Sequence, residues 1–193
     1  MLQLKSVLPI ALLILLMGLL QWIGVEKFRF ETALISDHEW WRIWTGHWIH
    51  ANWTHLGLNA TGLVLCLYLS SVNWTYWQWV WRILYLSSGI SISFLLLHPD
   101  LGWYVGFSGV LFGLFVLTAI ASLPSQAGMS YLLLAFIAIK ILLEQFSTFN
   151  VGSGDIIGVP VLVDAHLYGV VSALMLFMIQ SIYLRISDRA EGL

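Results

Sequence analysis

The stretch that decides the fold runs from Val105 to Leu123 and reads VGFSGVLFGLFVLTAIASL. It contains no charged residue, and a helix needs ~20 mostly apolar residues to cross a hydrocarbon core of ~30 Å. Near its start, two glycines flank a serine in the sequence Gly106-Phe-Ser108-Gly109. Glycines leave room around the serine, so the stretch predicts a membrane-spanning helix that carries an accessible hydroxyl in its first turn.

The whole chain has the composition of a protein that is solvated by lipid. Of its 193 residues, 60% are hydrophobic and 9% are charged. A soluble domain carries roughly 25% charged residues, so a soluble enzyme is excluded. The net charge of −2 offers no basic surface for nucleic acid, and one cysteine excludes a disulfide framework. The composition therefore predicts an integral membrane protein with the lipid bilayer as its partner.

Six apolar runs follow one another along the chain, and we expect each to be a transmembrane helix. The first is expected to be retained, because no small-x-small cleavage site follows it. The segment from about residue 26 to 53 is too polar to span and is rich in tryptophan, so we expect it to lie in the membrane interface. The prediction is an all-α, polytopic six-helix bundle forming a single domain over residues 1–193, with spans at Val7–Ile23, Leu56–Val72, Trp77–Leu97, Val105–Leu123, Tyr131–Phe146 and Val163–Leu184.

Polar residues inside apolar spans are costly to bury, so they indicate functional positions. His55 and Asn59 lie one helical turn apart in the second run, Ser108 opens the fourth run, and His166 opens the sixth. Helix packing can explain each group alone. Together they supply a nucleophile, a general base and hydrogen-bond donors for an oxyanion. We therefore predict a Ser108–His166 dyad without an acidic third member, since Asp164 should point away from His166 on the helix.

The order of these motifs resembles that of the rhomboid intramembrane serine proteases. The resemblance rests on Trp41-Arg42, His50, His55-x-x-x-Asn59, Gly106-x-Ser108-Gly109 and Ala165-His166-x-x-Gly169. It implies that Ser108 is the nucleophile, that His166 is the general base, and that His55, Asn59 and the Ser108 backbone N–H form the oxyanion hole. It also implies a water-filled cavity open to the extracytoplasmic side, two cytoplasmic termini, and chemistry without a metal or other cofactor.

Several further residues are expected to support this site. Phe112 stands one turn after Ser108, where many relatives have tyrosine, and can still stack on the histidine ring. His50 is expected to hydrogen-bond within the loop and to hold the start of the His55 helix. Phe107 is expected to line the cavity. The remaining supporting positions are Gly106, Gly109, Gly169 and Arg42.

A narrower resemblance points to the rhombosortase branch of the family. It rests on the short chain, Thr45-Gly46 before His50, Asp164-Ala-His166-Leu-Tyr-Gly169, and Lys140-x-x-x-Glu144-Gln145. It implies a bacterial inner-membrane protein whose active site faces the periplasm. The implied substrates are exported, membrane-anchored proteins whose C-terminal tail holds Gly-Gly, an apolar segment and basic residues.

Two alternatives remain open at this point, and a third is disfavoured. Lys140 and Glu144 lie one turn apart in an apolar run, so they form either an internal ion pair or a contact with the polar end of a substrate tail. The chain could also be a non-catalytic rhomboid-like protein that binds or escorts membrane clients, although such proteins characteristically lack the serine or the histidine. His47, His50 and His55 share one loop, but no acidic or cysteine ligand joins them, and we expect no zinc site.

Overall fold

The computed structural model describes residues 4–146 and 154–191, and most of these residues are in helices. This confirms the all-α prediction; one pair of two-residue strands is the exception among the described residues. In chain order the elements are α1 (Leu4–Ile23), a 3-10 helix (Val25–Lys27), β1 (Phe30–Glu31), α2 (Thr32–Ser36), α3 (Arg42–Trp48), α4 (Trp53–Leu69), α5 (Tyr76–Leu97), β2 (Trp103–Tyr104), α6 (Ser108–Phe146), α7 (Gly154–Ile157) and α8 (Asp164–Glu191).

Three of these helices are long and apolar enough to cross a membrane, within the part of the chain that the structure describes. They are Tyr76–Leu97, Ser108–Phe146 and Asp164–Ser187, and Val7–Ile23 is a shorter apolar helix. Large apolar side chains cover the outer faces of the helices, with Leu15, Leu96 and Phe146 among the most exposed. A soluble protein rarely exposes apolar surface of this extent to water, so lipid or another partner must cover it. The fold is therefore that of a membrane protein.

Helix α6 is continuous along the chain but consists of two arms in space. At ~1.5 Å per residue, a straight helix would hold Ser108 and Glu144 roughly 50 Å apart. Both residues nevertheless contact the same imidazole ring, that of His166. The backbone leaves helical geometry at Gln126, with φ −149° and ψ 59°, two residues after Pro124. The first arm (residues 108–125) and the second arm (residues 127–146) therefore fold back on each other, and they match the fourth and fifth predicted runs.

Glycines bring α6 and α8 into direct backbone contact. A Cβ atom at Gly109 would stand 2.6 Å from the carbonyl oxygen of Ala165, and one at Gly113 would stand 2.8 Å from that of Gly169. A Cβ at Gly169 would overlap the carbonyl oxygen of Gly109. Small residues allow this close approach of membrane helices. The contact holds the start of α8, which carries His166, against the start of α6.

The predicted interfacial segment has more internal structure than an amphipathic loop. Strand β1 pairs with β2 in antiparallel fashion, with Phe30 opposite Tyr104. Tyr104 then donates a hydrogen bond from its hydroxyl to the carbonyl of Gly106 at 2.8 Å. Strand β2 ends four residues before Ser108, the first residue of α6. The strand pair therefore connects the interfacial segment to the residues that lead into Ser108.

Arg42 stabilises the same segment from inside. Its guanidinium is buried, and Nε lies 2.6 Å from Oε2 of Glu39. Nη1 donates to the backbone carbonyls of Glu26 at 3.1 Å and Arg29 at 2.8 Å. These partners all lie within residues 26–39, so Arg42 stabilises the fold of the interfacial segment itself.

Candidate active site

The turn before Ser108 requires glycine at position 106 for two reasons. Gly106 has φ 126°, a conformation that residues with a side chain rarely adopt. A Cβ atom there would also stand 2.8 Å from Cε1 of His55. Ser108 follows as the first residue of α6, where backbone N–H groups have no partner within the helix. The hydroxyl of Ser108 and its free backbone N–H therefore lie together at the start of α6.

The imidazole of His166 lies beside this hydroxyl. Its Nε2 atom is 2.9 Å from Oγ of Ser108, although the two residues are 58 positions apart in the chain. Phe112 stacks on the ring with centroids 4.5 Å apart and an interplanar angle of 16°, as expected for an aromatic residue one turn after Ser108. His166 is buried, so its orientation is fixed by protein contacts. The structure thus brings together the two residues that the sequence singled out.

A third ionisable residue contacts the other side of the ring. Oε2 of Glu144, on the second arm of α6, lies 2.8 Å from Nδ1 of His166. The other carboxylate oxygen of Glu144, Oε1, lies 2.7 Å from Nζ of Lys140. The side chain of Glu144 is only 1% exposed. The internal ion pair of Lys140 and Glu144 is therefore present. The prediction that no acidic group partners His166 is wrong, because α6 turns back at Gln126 and carries Glu144 to the ring.

The same geometry bears on the idea that Lys140 and Glu144 contact a substrate tail. The Glu144 carboxylate is enclosed between two protein partners and is not open to a substrate in this structure, whereas Lys140 is 23% exposed at its side chain.

Asp164, the acid nearest to His166 in sequence, lies beside His98 and not beside His166. Oδ2 of Asp164 is 3.4 Å from Nε2 of His98. The hydroxyl of Tyr168 is also 2.7 Å from Nε2 of His98. Asp164 is thus turned away from the histidine, as predicted.

A cavity of about 300 Å³ opens at the serine. Ser108 and His55 both line it, and the remaining walls are Ala51, Trp103, Tyr104, Val105 and residues 159–162. Phe107 is fully buried and does not line this cavity, contrary to expectation. Its side chain belongs to the hydrophobic core, and Trp103 and Tyr104 are the aromatic residues that line the opening. A substrate carbonyl entering this cavity would meet the hydroxyl with His55 on the facing helix.

His55 and Asn59 are both buried on α4, one turn apart. Nδ2 of Asn59 donates to the carbonyl of His55 at 3.1 Å, which leaves the second amide hydrogen for another acceptor. The start of α4 is capped by Asn52, whose Oδ1 accepts a hydrogen bond from the His55 N–H at 2.9 Å. This cap holds the first turn of α4, which carries His55, and Asn59 follows one turn later on the same helix.

The other two loop histidines support the fold. Nε2 of His47 is 2.9 Å from Oγ of Ser91, and burial lowers the pKa of His47 to about 3. Burial also lowers the pKa of His50 to about 3. The expected hydrogen bond of the His50 ring is absent among the described residues; the ring packs edge-on against His55 with centroids 5.0 Å apart. Within residues 4–146 and 154–191, no three His, Cys, Asp or Glu side chains are grouped to hold a metal ion.

We expect Asn59→Ala and His55→Ala each to lower turnover without abolishing it. One oxyanion donor contributes roughly 2.7–4 kcal/mol to transition-state stabilisation, or ~10²–10³ in kcat, and the Ser108 N–H would remain. The measurement is kcat on a cleavable membrane substrate, with Asn73→Ala, an exposed asparagine, as the control. If both variants keep kcat within about threefold of wild type, the two residues serve helix packing alone.

Comparison with known proteins identifies the family of this chain. The Rhomboid domain family model matches residues 37–182, which includes α3 to α6, the histidine of α8 and most of that helix. No curated protein and no solved structure gives a significant match. The family model covers well over half of the chain, and members of that family are generally intramembrane serine proteases. This membrane protein therefore belongs to the rhomboid family.

Proposed function

We propose that this chain is an intramembrane serine endopeptidase in which Ser108 is the nucleophile and His166 is the general base. The observation that carries the proposal is the 2.9 Å contact between Oγ of Ser108 and Nε2 of His166, at the wall of an open cavity. A serine hydroxyl becomes nucleophilic when a hydrogen-bonded base removes its proton. Histidine suits this role because its ordinary pKa lies near neutrality.

The proposed reaction uses each of these groups in turn. His166 Nε2 accepts the proton of Ser108 as Oγ attacks the substrate carbonyl and forms a tetrahedral intermediate. The oxyanion is stabilised by the Ser108 backbone N–H and by donors from His55 and Asn59. His166 then gives the proton to the leaving amine, and the C–N bond breaks to leave an acyl-enzyme. Water, deprotonated by the same imidazole, releases the second product.

We further propose that the chain crosses the membrane six times, with both termini in the cytoplasm. The crossings are α1, α4, α5, the two arms of α6, and α8. The reversal of α6 at Gln126 supports this count, because it divides one long apolar helix into two segments of spanning length. The tryptophans of the interfacial segment, of which Trp40, Trp41 and Trp53 are well exposed, support its location at one membrane face.

For the substrate, we propose exported proteins of the bacterial inner membrane with a C-terminal Gly-Gly, apolar and basic tail, as in the rhombosortase branch. An intramembrane serine can attack only where a helix has opened, and glycine costs a helix about 1 kcal/mol relative to alanine. Glycine also has no Cβ to obstruct entry beside Trp103 and Val105, which wall the cavity. The proposed site would open to the periplasm.

The second candidate function is non-catalytic binding of membrane clients. The contact between Ser108 and His166 favours the protease, because a client-binding protein has no need for a hydrogen-bonded nucleophile and base. Labelling with a fluorophosphonate probe separates the two. Wild-type protein should be labelled and Ser108→Ala should not; an unlabelled wild type of native fold would overturn the protease proposal.

The substrate proposal has its own test. We expect an exported protein with a Gly-Gly tail to be cleaved near the glycines when it is expressed with this enzyme, and mass spectrometry maps the new C-terminus. Replacing both glycines by leucine should block processing, whereas replacing two apolar residues in the middle of its membrane segment should not. Unchanged processing of the Leu-Leu substrate would refute the substrate class and leave the protease proposal standing.

A further inference from the structure

The carboxylate of Glu144 occupies a position beside His166 to which the reaction above gives no role. We propose that Glu144 is a positioning residue that fixes the tautomer and the orientation of His166, and that Lys140 holds the carboxylate in place. The inference rests on the proposed protease function and adds a third group to its machinery. It gives Glu144, in the fifth predicted span, a role in the reaction of Ser108 and His166, which lie in the fourth and sixth spans.

The first argument concerns the proton on the imidazole. A neutral histidine has one N–H donor and one acceptor nitrogen. Ser108 can donate to His166 only if Nε2 is the acceptor, which requires the hydrogen to reside on Nδ1. Oε2 of Glu144 lies 2.8 Å from Nδ1 and, as a carboxylate, can only accept a hydrogen bond. The tautomer that activates the serine is therefore the one that Glu144 selects.

The second argument concerns charge. When His166 takes the serine proton, its ring becomes a cation inside the protein. The side chain of Glu144 is 1% exposed, so its charge acts on the ring with little screening by solvent. A lone buried carboxylate would be costly, but the Lys140 ammonium at 2.7 Å compensates it. The pair thus keeps an anion next to the position where positive charge develops.

The third argument separates this role from that of an ordinary ion pair within one helix. A pair at i, i+4 needs only one carboxylate oxygen, and Oε1 provides it. Oε2 reaches across to another helix and meets one particular nitrogen. The ring of His166 is then held at both nitrogens and, through Phe112, on its face. These contacts leave the imidazole a single orientation.

The test begins with Glu144→Gln, which keeps the size of the side chain and removes its charge. An amide can turn its NH₂ toward Nδ1 and favour the wrong tautomer. In the triad of soluble serine proteases, the corresponding change of aspartate to asparagine lowers kcat by ~10⁴, so we expect a fall of about 10²–10⁴ in kcat with little change in KM. Asp164→Asn is the matched control, because this acid contacts His98, and it should stay within about threefold of wild type.

A double variant separates positioning from packing. Lys140→Met combined with Glu144→Gln leaves neither charge buried alone, so it removes the folding penalty of the single change. If Glu144 only neutralises Lys140, the double variant should return to within about threefold of wild-type kcat, and the proposal would be refuted. If Glu144 positions His166, kcat should stay low in the folded double variant. Glu144→Asp, which keeps the charge on a shorter side chain, should recover part of the activity.

A spectroscopic measurement makes the inference independent of proteolysis. With ¹⁵N-labelled histidine, the His166 ring of the wild type should show a protonated Nδ1 and an unprotonated Nε2 at a pH where the ring is neutral. The Glu144→Gln protein should lose this preference. An unchanged tautomer would overturn the role of Glu144 even if the serine is active, whereas failure of fluorophosphonate labelling in the wild type would overturn the protease proposal instead.

Discussion

Replacing Ser108 or His166 by alanine is expected to abolish proteolysis, and replacing both is expected to cost no more than replacing one. Oγ of Ser108 and Nε2 of His166 are 2.9 Å apart, so in the proposed mechanism the two side chains act as a unit and loss of either ends proton transfer. In a serine protease such single changes lower kcat by a factor on the order of 10⁶. The measurement is kcat for the two single variants and the double variant on one substrate.

The matched control for the serine is Ser93→Ala on α5. Ser93 donates only to the carbonyl of Gly89 in its own helix, at 2.9 Å, among the hydrogen bonds of the described residues. Its replacement should leave turnover unchanged. Cleavage by a folded Ser108→Ala protein at a rate near that of wild type would show that the nucleophile has been misassigned.

Gly169→Ala is expected to reduce both stability and activity, although it adds only one methyl group. That methyl would overlap the carbonyl oxygen of Gly109, and backbone cannot move aside as a flexible side chain can. Forcing extra atoms into a packed interface costs typically 1–3 kcal/mol. Moving the two backbones apart would also shift Ser108, which precedes Gly109, and His166, which lies one turn before Gly169. A ~1 Å misplacement of reacting groups can cost 10²-fold in rate. We therefore expect kcat to fall by about 10² or more.

Gly57→Ala provides the comparison for this prediction. Gly57 lies in α4, and a Cβ atom there would have no atom within 4 Å apart from its chain neighbours and the backbone of its own helix. Alanine is a better helix former than glycine by about 1 kcal/mol, so this variant should be at least as stable as wild type. Thermal unfolding in detergent and kcat are measured for both variants. Equal behaviour of Gly169→Ala and Gly57→Ala would mean that the α6–α8 contact does not hold the active site together.

The sequence allowed Ser108 and His166 to be selected for a local reason. Each follows or precedes glycines within a few residues, at the start of an apolar run, and this pattern is visible without any tertiary structure. The apolar runs likewise predicted α5 and both arms of α6 to within a few residues, because hydrophobic length is a property of the chain alone. The strand pair of Phe30 with Tyr104 had no such signal, since two-residue strands carry no periodicity.

The contact of Glu144 with His166 could not be predicted in the same way. It depends on where the chain reverses at Gln126 and on how the second arm rotates about its own axis, and neither follows from the spacing of Lys140 and Glu144. The sequence did contain a sign, which was an acidic side chain inside an apolar run, near its end. Such a residue needs a partner, and Lys140 at i, i+4 already meets that need. The carboxylate has two oxygens, and the structure shows where the second one goes.

The reversal of α6 also has a consequence for the order in which this protein is made. Ser108 and Glu144 lie on the two arms of one hairpin, and the ribosome completes both before it adds the histidine of α8. Glu144 and Lys140 lie 2.7 Å apart within one helical turn of the same arm, so we expect them to pair before α8 is added and to let the hairpin reside in lipid without its later partner. The nucleophile meanwhile has no base. If the proposed mechanism holds, a nascent chain should therefore be inactive until α8 packs into the glycine contact, and activity should report completed assembly.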